Sequence, residues 1–255
     1  MTESSDWLGY YAGWENRGWD YGFGADGEGV LFIKKGDRMI HDTVKITPLI
    51  QQKRGDKWTF RSAESWSAPS ETPAGLDPKK PVSVTLIAKE GTKAEFIQVV
   101  SGKRITIKPK FVSKETKDPI RMGVRIDFMD FNRLRQKEGK EGKLDEKELK
   151  KLLKKDAFEA VRKKDREKIS FELYEMEEDK KLDGTDGFLK DGATSLSLSV
   201  HRVKKTFEIK QGNPKAGHLM LIKNGPLAHG FKVVWVVSPE EAKMDKAYVT
   251  IEVAK

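Results

Sequence analysis

Six separate stretches alternate apolar and polar residues with a period of two. They are Val82, Val84 and Leu86; Ile105, Ile107 and Phe111 against Thr106, Lys108 and Lys110; Val124, Ile126 and Phe128 against Arg125 and Asp127; Ile169, Phe171 and Leu173; Leu196, Leu198 and Val200 against Ser195, Ser197 and Ser199; and Val249, Ile251 and Val253. Successive side chains of a strand point to opposite faces, so each run describes a strand with one face buried and one wet. Sheets that are wet on one face are usually antiparallel. Turn residues recur between the runs, and the helix–strand alternation a parallel sheet requires is missing. The expected fold is therefore mainly β, built of antiparallel, sandwich-like sheets.

More strands are expected at Val30–Ile33, at 39–50 and at 57–61. Residues 66–81 carry Pro69, Pro73, Pro78 and Pro81 and read as a long loop, because proline removes ladder donors and breaks helices. One segment departs from the β pattern. Across 145–164, Leu149, Leu152, Leu153, Ala157, Ala160 and Val161 recur at three- and four-residue steps among Lys, Arg and Glu, which predicts an amphipathic helix inserted in the second unit. A short helix is also expected at Ser238-Pro-Glu-Glu241, where Ser238 caps and Glu241 closes a capping box. The polar stretch 113–119 ends in Asp-Pro and supplies the expected boundary between two units, 1–112 and 120–255.

The 255 residues include no cysteine, which removes disulfides, thiolate nucleophiles and Cys-ligated metal centres. The net charge of +9 is concentrated: residues 133–168 hold fifteen Lys and Arg against nine Asp and Glu, a net of +6. Clustered cations attract polyanions, but Glu138, Glu141, Glu146, Glu148, Glu159 and Glu167 are interleaved with them, and no nucleic-acid motif accompanies them. A nucleic-acid partner is not expected. No apolar run approaches the ~18 residues of a membrane-spanning helix. The first residues lack a basic and an apolar leader region, so the expectation of an exported, periplasmic or extracellular protein requires a leader absent from this sequence.

The candidate binding residues lie near the N-terminus. Trp7, Tyr10, Tyr11, Trp14, Trp19, Tyr21 and Phe23 are spaced by Gly9, Gly13, Gly18 and Gly22. Flat rings beside glycines can stack on the apolar faces of sugars, and such rings equally fill cores. The expected ligand-binding set is Trp14, Trp19 and Tyr21 with Tyr10 and Tyr11, on a non-catalytic carbohydrate-binding or surface-associated β module. Two alternatives stand beside it: a polysaccharide-acting lyase or hydrolase with folding-assembled carboxylates, and an assembly protein whose strand edges meet another subunit. The partner is thus a carbohydrate or another protein.

No cofactor is expected. Asp179, Asp183 and Asp186 form the one weak calcium candidate, but Lys181 stands where an EF-hand would need an oxygen ligand and Lys190 where it would need Glu. Four histidines are present, and a hairpin turning at Asn224-Gly225 would bring His218 and His229 together on one face. Nucleophile elbows, phosphate loops and zinc-protease motifs are missing from the sequence.

Overall fold

The computed structural model describes residues 12–24, 26–35, 38–61, 63–67, 81–88, 90–128, 156–172, 192–200, 203–223 and 231–254. Within them, seventeen strands join through one continuous set of antiparallel pairings, so the fold is a curled antiparallel sheet. One arm of the curl begins with a meander of β1 (Ala12–Asn16), β2 (Trp19–Phe23), β3 (Gly29–Lys35) and the long β4 (Arg38–Arg54). The strand β5 (Lys57–Arg61) folds back on the second half of β4. On the other side of β4 lie β10 (Ile120–Asp127), β16 (Phe231–Val237) and β15 (His218–Lys223) in turn.

The second arm runs β6 (Ala63–Ser67), β7 (Val82–Ala88), β8 (Lys93–Ser101), β9 (Arg104–Ser113), β17 (Val249–Ala254), β14 (Lys205–Gln211), β13 (Ala193–Val200), β11 (Ala157–Arg162) and β12 (Lys168–Glu172). The arms meet where Ala193 of β13 pairs with Leu219 of β15. Their inner faces share one hydrophobic core that includes Tyr21 and Leu31 of the first arm and Phe96 and Ile251 of the second. Phe128 and Phe207 meet edge to face across it, with centroids 5.5 Å apart.

Alternation explains which residues enter that core. Val82, Val84, Leu86 and Ala88 of β7 are buried while Ser83, Thr85 and Ile87 between them are partly exposed, and β17 repeats the pattern with Val249, Ile251 and Val253. Each fully buried aliphatic or aromatic side chain contributes about 1.5–3 kcal/mol relative to exposure, which fixes the face and with it the register. The 113–119 segment is a loop between β9 and β10. Gln52 clasps it, donating from Nε2 to Thr116 Oγ1 at 3.0 Å and Asp118 Oδ2 at 2.8 Å. Strands on the two sides of this loop pair with each other, β4 with β10 and β9 with β17, so the hydrogen bonding does not divide there.

The expected helix over 145–164 is corrected in its described part. Residues 157–162 form β11, between β12 and β13, and residues 145–155 lie outside the described residues. Phe158 and Ala160 face the core while Glu159 faces out and pairs with Lys168 at 2.9 Å. A short apolar run fits both periods; here the open edge of β13 supplied the ladder partner that selects a strand. The capping box at Ser238 is present. Glu241 N–H donates to Ser238 Oγ at 3.1 Å and Ser238 N–H to Glu241 Oε2 at 2.7 Å, opening a single 3₁₀ turn at Glu241–Lys243.

Candidate ligand-binding surface

The structure turns the N-terminal rings inward. Trp14, Trp19 and Tyr21 are 4%, 2% and 0% exposed, all inside the common core, so they present no face to a solute. Tyr10 and Tyr11 lie outside the described residues. The reason is the pleat. Trp19, Tyr21 and Phe23 occupy alternate positions of β2, and the register sets Trp14 opposite Tyr21, ring centroids 5.7 Å apart. Leu31 of β3, paired with Tyr21, continues the same inward row. The Tyr21 hydroxyl donates to Gln98 Oε1 of β8, and burial pushes the phenol's pKa well up. Gly29 makes room for this ring: a Cβ there would sit 1.9 Å from Tyr21 Oη. Two cross-arm contacts, Tyr21 with Gln98 and Gln98 Nε2 with Gly27 O at 3.4 Å, thereby tie the hairpins to β8.

A different aromatic residue faces outward. On β4 the odd residues Thr47, Leu49, Gln51 and Lys53 point away from the core, since Val44, Ile46 and Ile50 point into it. The register places Arg121 of β10 beside Gln51 and Trp58 of β5 beside Lys53, so all four side chains rise from one face. Trp58 and Arg121 are half-buried, and the guanidinium carbon of Arg121 lies 4.0 Å from the ring centroid. A cation over an indole is held by the ring's quadrupole and gains as water is excluded. Burial lowers the pKa of Arg121, and the carboxylate of Glu241, held at the capping box, opposes that shift. Gln51 is 5% exposed, and its Oε1 has no hydrogen-bond partner among the described residues.

The same face continues along the strands. Leu49, Val234 and Val236 form a small second hydrophobic cluster with Met220 packed against it. Beyond it, Arg125 Nε donates to Asp127 Oδ2 at 2.7 Å, while the other oxygen of the buried Asp127 carboxylate has no partner among the described residues. Glu28 accepts from Thr47 Oγ1 at 3.2 Å and lies 3.5 Å from Lys45 Nζ, the residues opposite Arg125 and Asp127 on β4. The face therefore runs from an aromatic–cationic end, through an apolar middle, to an end with two carboxylates.

Sequence reasoning missed this surface because Trp58 sits in a short five-residue strand, away from the dense cluster of rings and glycines near the N-terminus that drew notice. The signal available was its place opposite Lys53 across the Arg54–Lys57 turn.

The other predicted sites dissolve or fall outside view. Asp179, Asp183 and Asp186 lie outside the described residues, as do His201 and His229. Among the described residues no group of three or more His, Cys, Asp or Glu is arranged to hold a metal. In the β15–β16 pairing Val236 stands opposite His218 and Phe231 opposite Lys223, while residues 224–230, with the expected turn at Asn224-Gly225 and His229, lie outside the described residues. Among the described residues no helix is long and apolar enough to cross a membrane.

No protein-family model matches the sequence, and no curated protein matches it. Among solved structures, the fold is similar to part of the alpha-N-acetylgalactosaminidase NagBb from Bifidobacterium bifidum, in its complex with GalNAc, with a TM-score of 0.50 and 10% identity. The likeness covers 95% of this chain and 36% of that one, and at this identity it shows the fold alone.

Proposed function

We propose that this chain is a non-catalytic carbohydrate-binding β module whose ligand lies on the outer face of β5, β4 and β10. The observation that carries the reading is the half-buried Trp58 with the Arg121 guanidinium 4.0 Å from its ring centroid, beside a buried amide oxygen that lacks a donor among the described residues. An indole held rigid by a guanidinium offers a sugar ring an apolar platform with little entropy left to lose. Polar groups at its rim can then fix the orientation of the hydroxyls. The partial fold likeness to a carbohydrate-acting protein supports the same class of ligand.

Isothermal titration of the chain with soluble glycans tests this. Trp58→Ala is expected to weaken binding about tenfold or more, the equivalent of ~1.4 kcal/mol, while the melting temperature moves by only a few degrees. Binding that is unchanged in the variant, or no binding to any glycan, would overturn the reading. The enzyme alternative draws on Asp127 and Glu28 at the other end of the face. Release of reducing ends by the wild-type chain, lost in Asp127→Asn, would favour it instead.

A further inference from the structure

We infer that Arg121 is a carboxylate-recognition residue, and that the glycan taken by the Trp58 surface is acidic, its uronate carboxylate seated on the guanidinium. The inference rests on the carbohydrate reading above and names its substrate class.

Three observations converge. The first is that Arg121 lacks the carboxylate its counterparts hold. Among the described arginines that are partly buried, Arg125 binds Asp127 at 2.7 Å and Arg162 binds Asp165 at 2.6 Å. No ion pair or hydrogen bond to the Arg121 guanidinium is present among the described residues, and the one carboxylate that acts on it, Glu241, has an oxygen engaged by Ser238 N–H at 2.7 Å. A guanidinium removed from water without an acceptor is costly, and a bidentate oxyanion is what its planar fork matches.

The second observation is proximity. The guanidinium carbon of Arg121 lies 4.0 Å from the Trp58 ring centroid, which sets the cation and its N–H donors at the aromatic platform. A pyranose on or beside the indole would carry an equatorial carboxylate to that cation.

The third is Gln51, directly paired with Arg121 across β4 and β10. Directly opposed side chains in such a pair stand ~4.5–5.5 Å apart at Cβ. Its Oε1 is a buried acceptor without a donor among the described residues. An acceptor and a cation left unsatisfied side by side are answered together by a ligand that brings both a hydroxyl donor and a carboxylate, as a uronic acid does. A neutral sugar answers only the first, and a bare carboxylate only the second.

The test is titration of the full chain, at physiological ionic strength, with oligosaccharides of galacturonate, glucuronate and mannuronate, each beside its carboxyl-reduced counterpart. At least one acidic oligosaccharide is expected to bind about tenfold or more tightly than its reduced form, the scale of a charge-assisted pair. Arg121→Gln and Arg121→Lys are both expected to bring acidic and reduced forms to the same affinity, since lysine keeps the charge but not the fork. Gln51→Leu, which removes the unsatisfied oxygen at similar volume, keeps the acid preference and weakens both forms a few-fold without loss of thermal stability.

Equal affinity for acidic and reduced forms, or an acid preference that survives in Arg121→Lys, overturns the assignment. So does an equal response to dextran sulfate that Arg121→Gln leaves intact, which would trace the effect to the net charge of +9 alone. If the reduced oligosaccharides bind and Trp58→Ala abolishes that binding while no acid preference exists, the carboxylate assignment falls and the carbohydrate reading stands. If no oligosaccharide binds, both fall.

Discussion

The N-terminal hairpins and the β5–β4–β10 face both carry tryptophan, yet they treat it in opposite ways. In the hairpins Trp14, Trp19 and Tyr21 lie inside the core, where the Tyr21 hydroxyl is tied to Gln98 across the curl and the buried Trp14 Nε1 has no hydrogen-bond partner among the described residues. On the outer face Trp58 remains half-exposed, the Oε1 of nearby Gln51 is left without a hydrogen-bond partner among the described residues, and a cation rather than an aliphatic side chain lies on its ring. Aromatic density therefore marks where this protein is most heavily packed, and the half-exposed Trp58 outside that cluster is where we propose that it meets a ligand. A large ring in a β protein goes to whichever side of the sheet its parity dictates, and the core side is the one that buries it.

Breaking the buried half of this comparison should have the largest effect. Trp19→Ala removes one of the largest fully buried side chains and is expected to destabilise the fold by ~3–5 kcal/mol. Chemical denaturation would show this, and the same measurement on Trp58→Ala should show a loss of no more than ~1 kcal/mol. Equal losses at the two positions would erase the distinction between them.

Gly29→Ala comes next, with an expected cost of ~1–3 kcal/mol, because the added methyl would occupy the place of the Tyr21 hydroxyl. Combined with Tyr21→Phe, the two costs should sum to less than their separate values, since both act on the same few ångströms.

Tyr21→Phe by itself leaves Gln98 Oε1 without its donor and should cost ~1–3 kcal/mol near neutral pH. It also gives a pH signature. The folded phenol has a raised pKa and the unfolded one an ordinary value near ~10. Below that value both states hold the proton and the contribution is fully present. As pH rises past it the unfolded chain alone loses a proton, so stability falls. The wild-type denaturation midpoint should therefore decline above about pH 10 more steeply than that of Tyr21→Phe; parallel profiles would mean that this phenol is not sealed from solvent.

The smallest effect is expected at the exposed β11–β12 turn. There the Glu167 backbone N–H and the Arg162 guanidinium hold the Asp165 carboxyl below its ordinary range. This contribution is present above the ordinary carboxylate pKa and is lost as pH falls through the depressed folded value. Asp165→Asn should therefore lower stability slightly at neutral pH and converge with the wild type in acid, so that the acid side of the profile is slightly flatter. A large change at neutral pH would show that this turn supports more of β11 and β12 than its exposure implies.

Much of the sheet was legible because period two is a local property. The alternating residues of β7, β9, β10, β13 and β17 point where their pattern said they would, and the Ser238–Glu241 box was read from four residues because its hydrogen bonds span only three. The same rule, applied to Trp19, Tyr21 and Phe23, would have put those rings on one inward face; the glycines between them suggested openness instead. Residues 157–161 misled for the opposite reason, since Ala157, Ala160 and Val161 fit a helical step while Phe158 and Ala160 fit a strand. Only the free edge of β13 distinguishes the two.

By itself, then, the sequence determined that this protein builds antiparallel sheet, where most strands run and which of their side chains are apolar, because all of these follow from residue type and spacing along one strand. Tertiary structure alone decided that the strands join into one curl, and that β5 folds onto β4 so that Trp58 reaches Arg121. It also decided that Gln51 stands beside that guanidinium with its oxygen unanswered among the described residues. Those neighbours lie on three strands brought together by register. Register is set by the balance of buried surface over the whole sheet, which no single segment encodes.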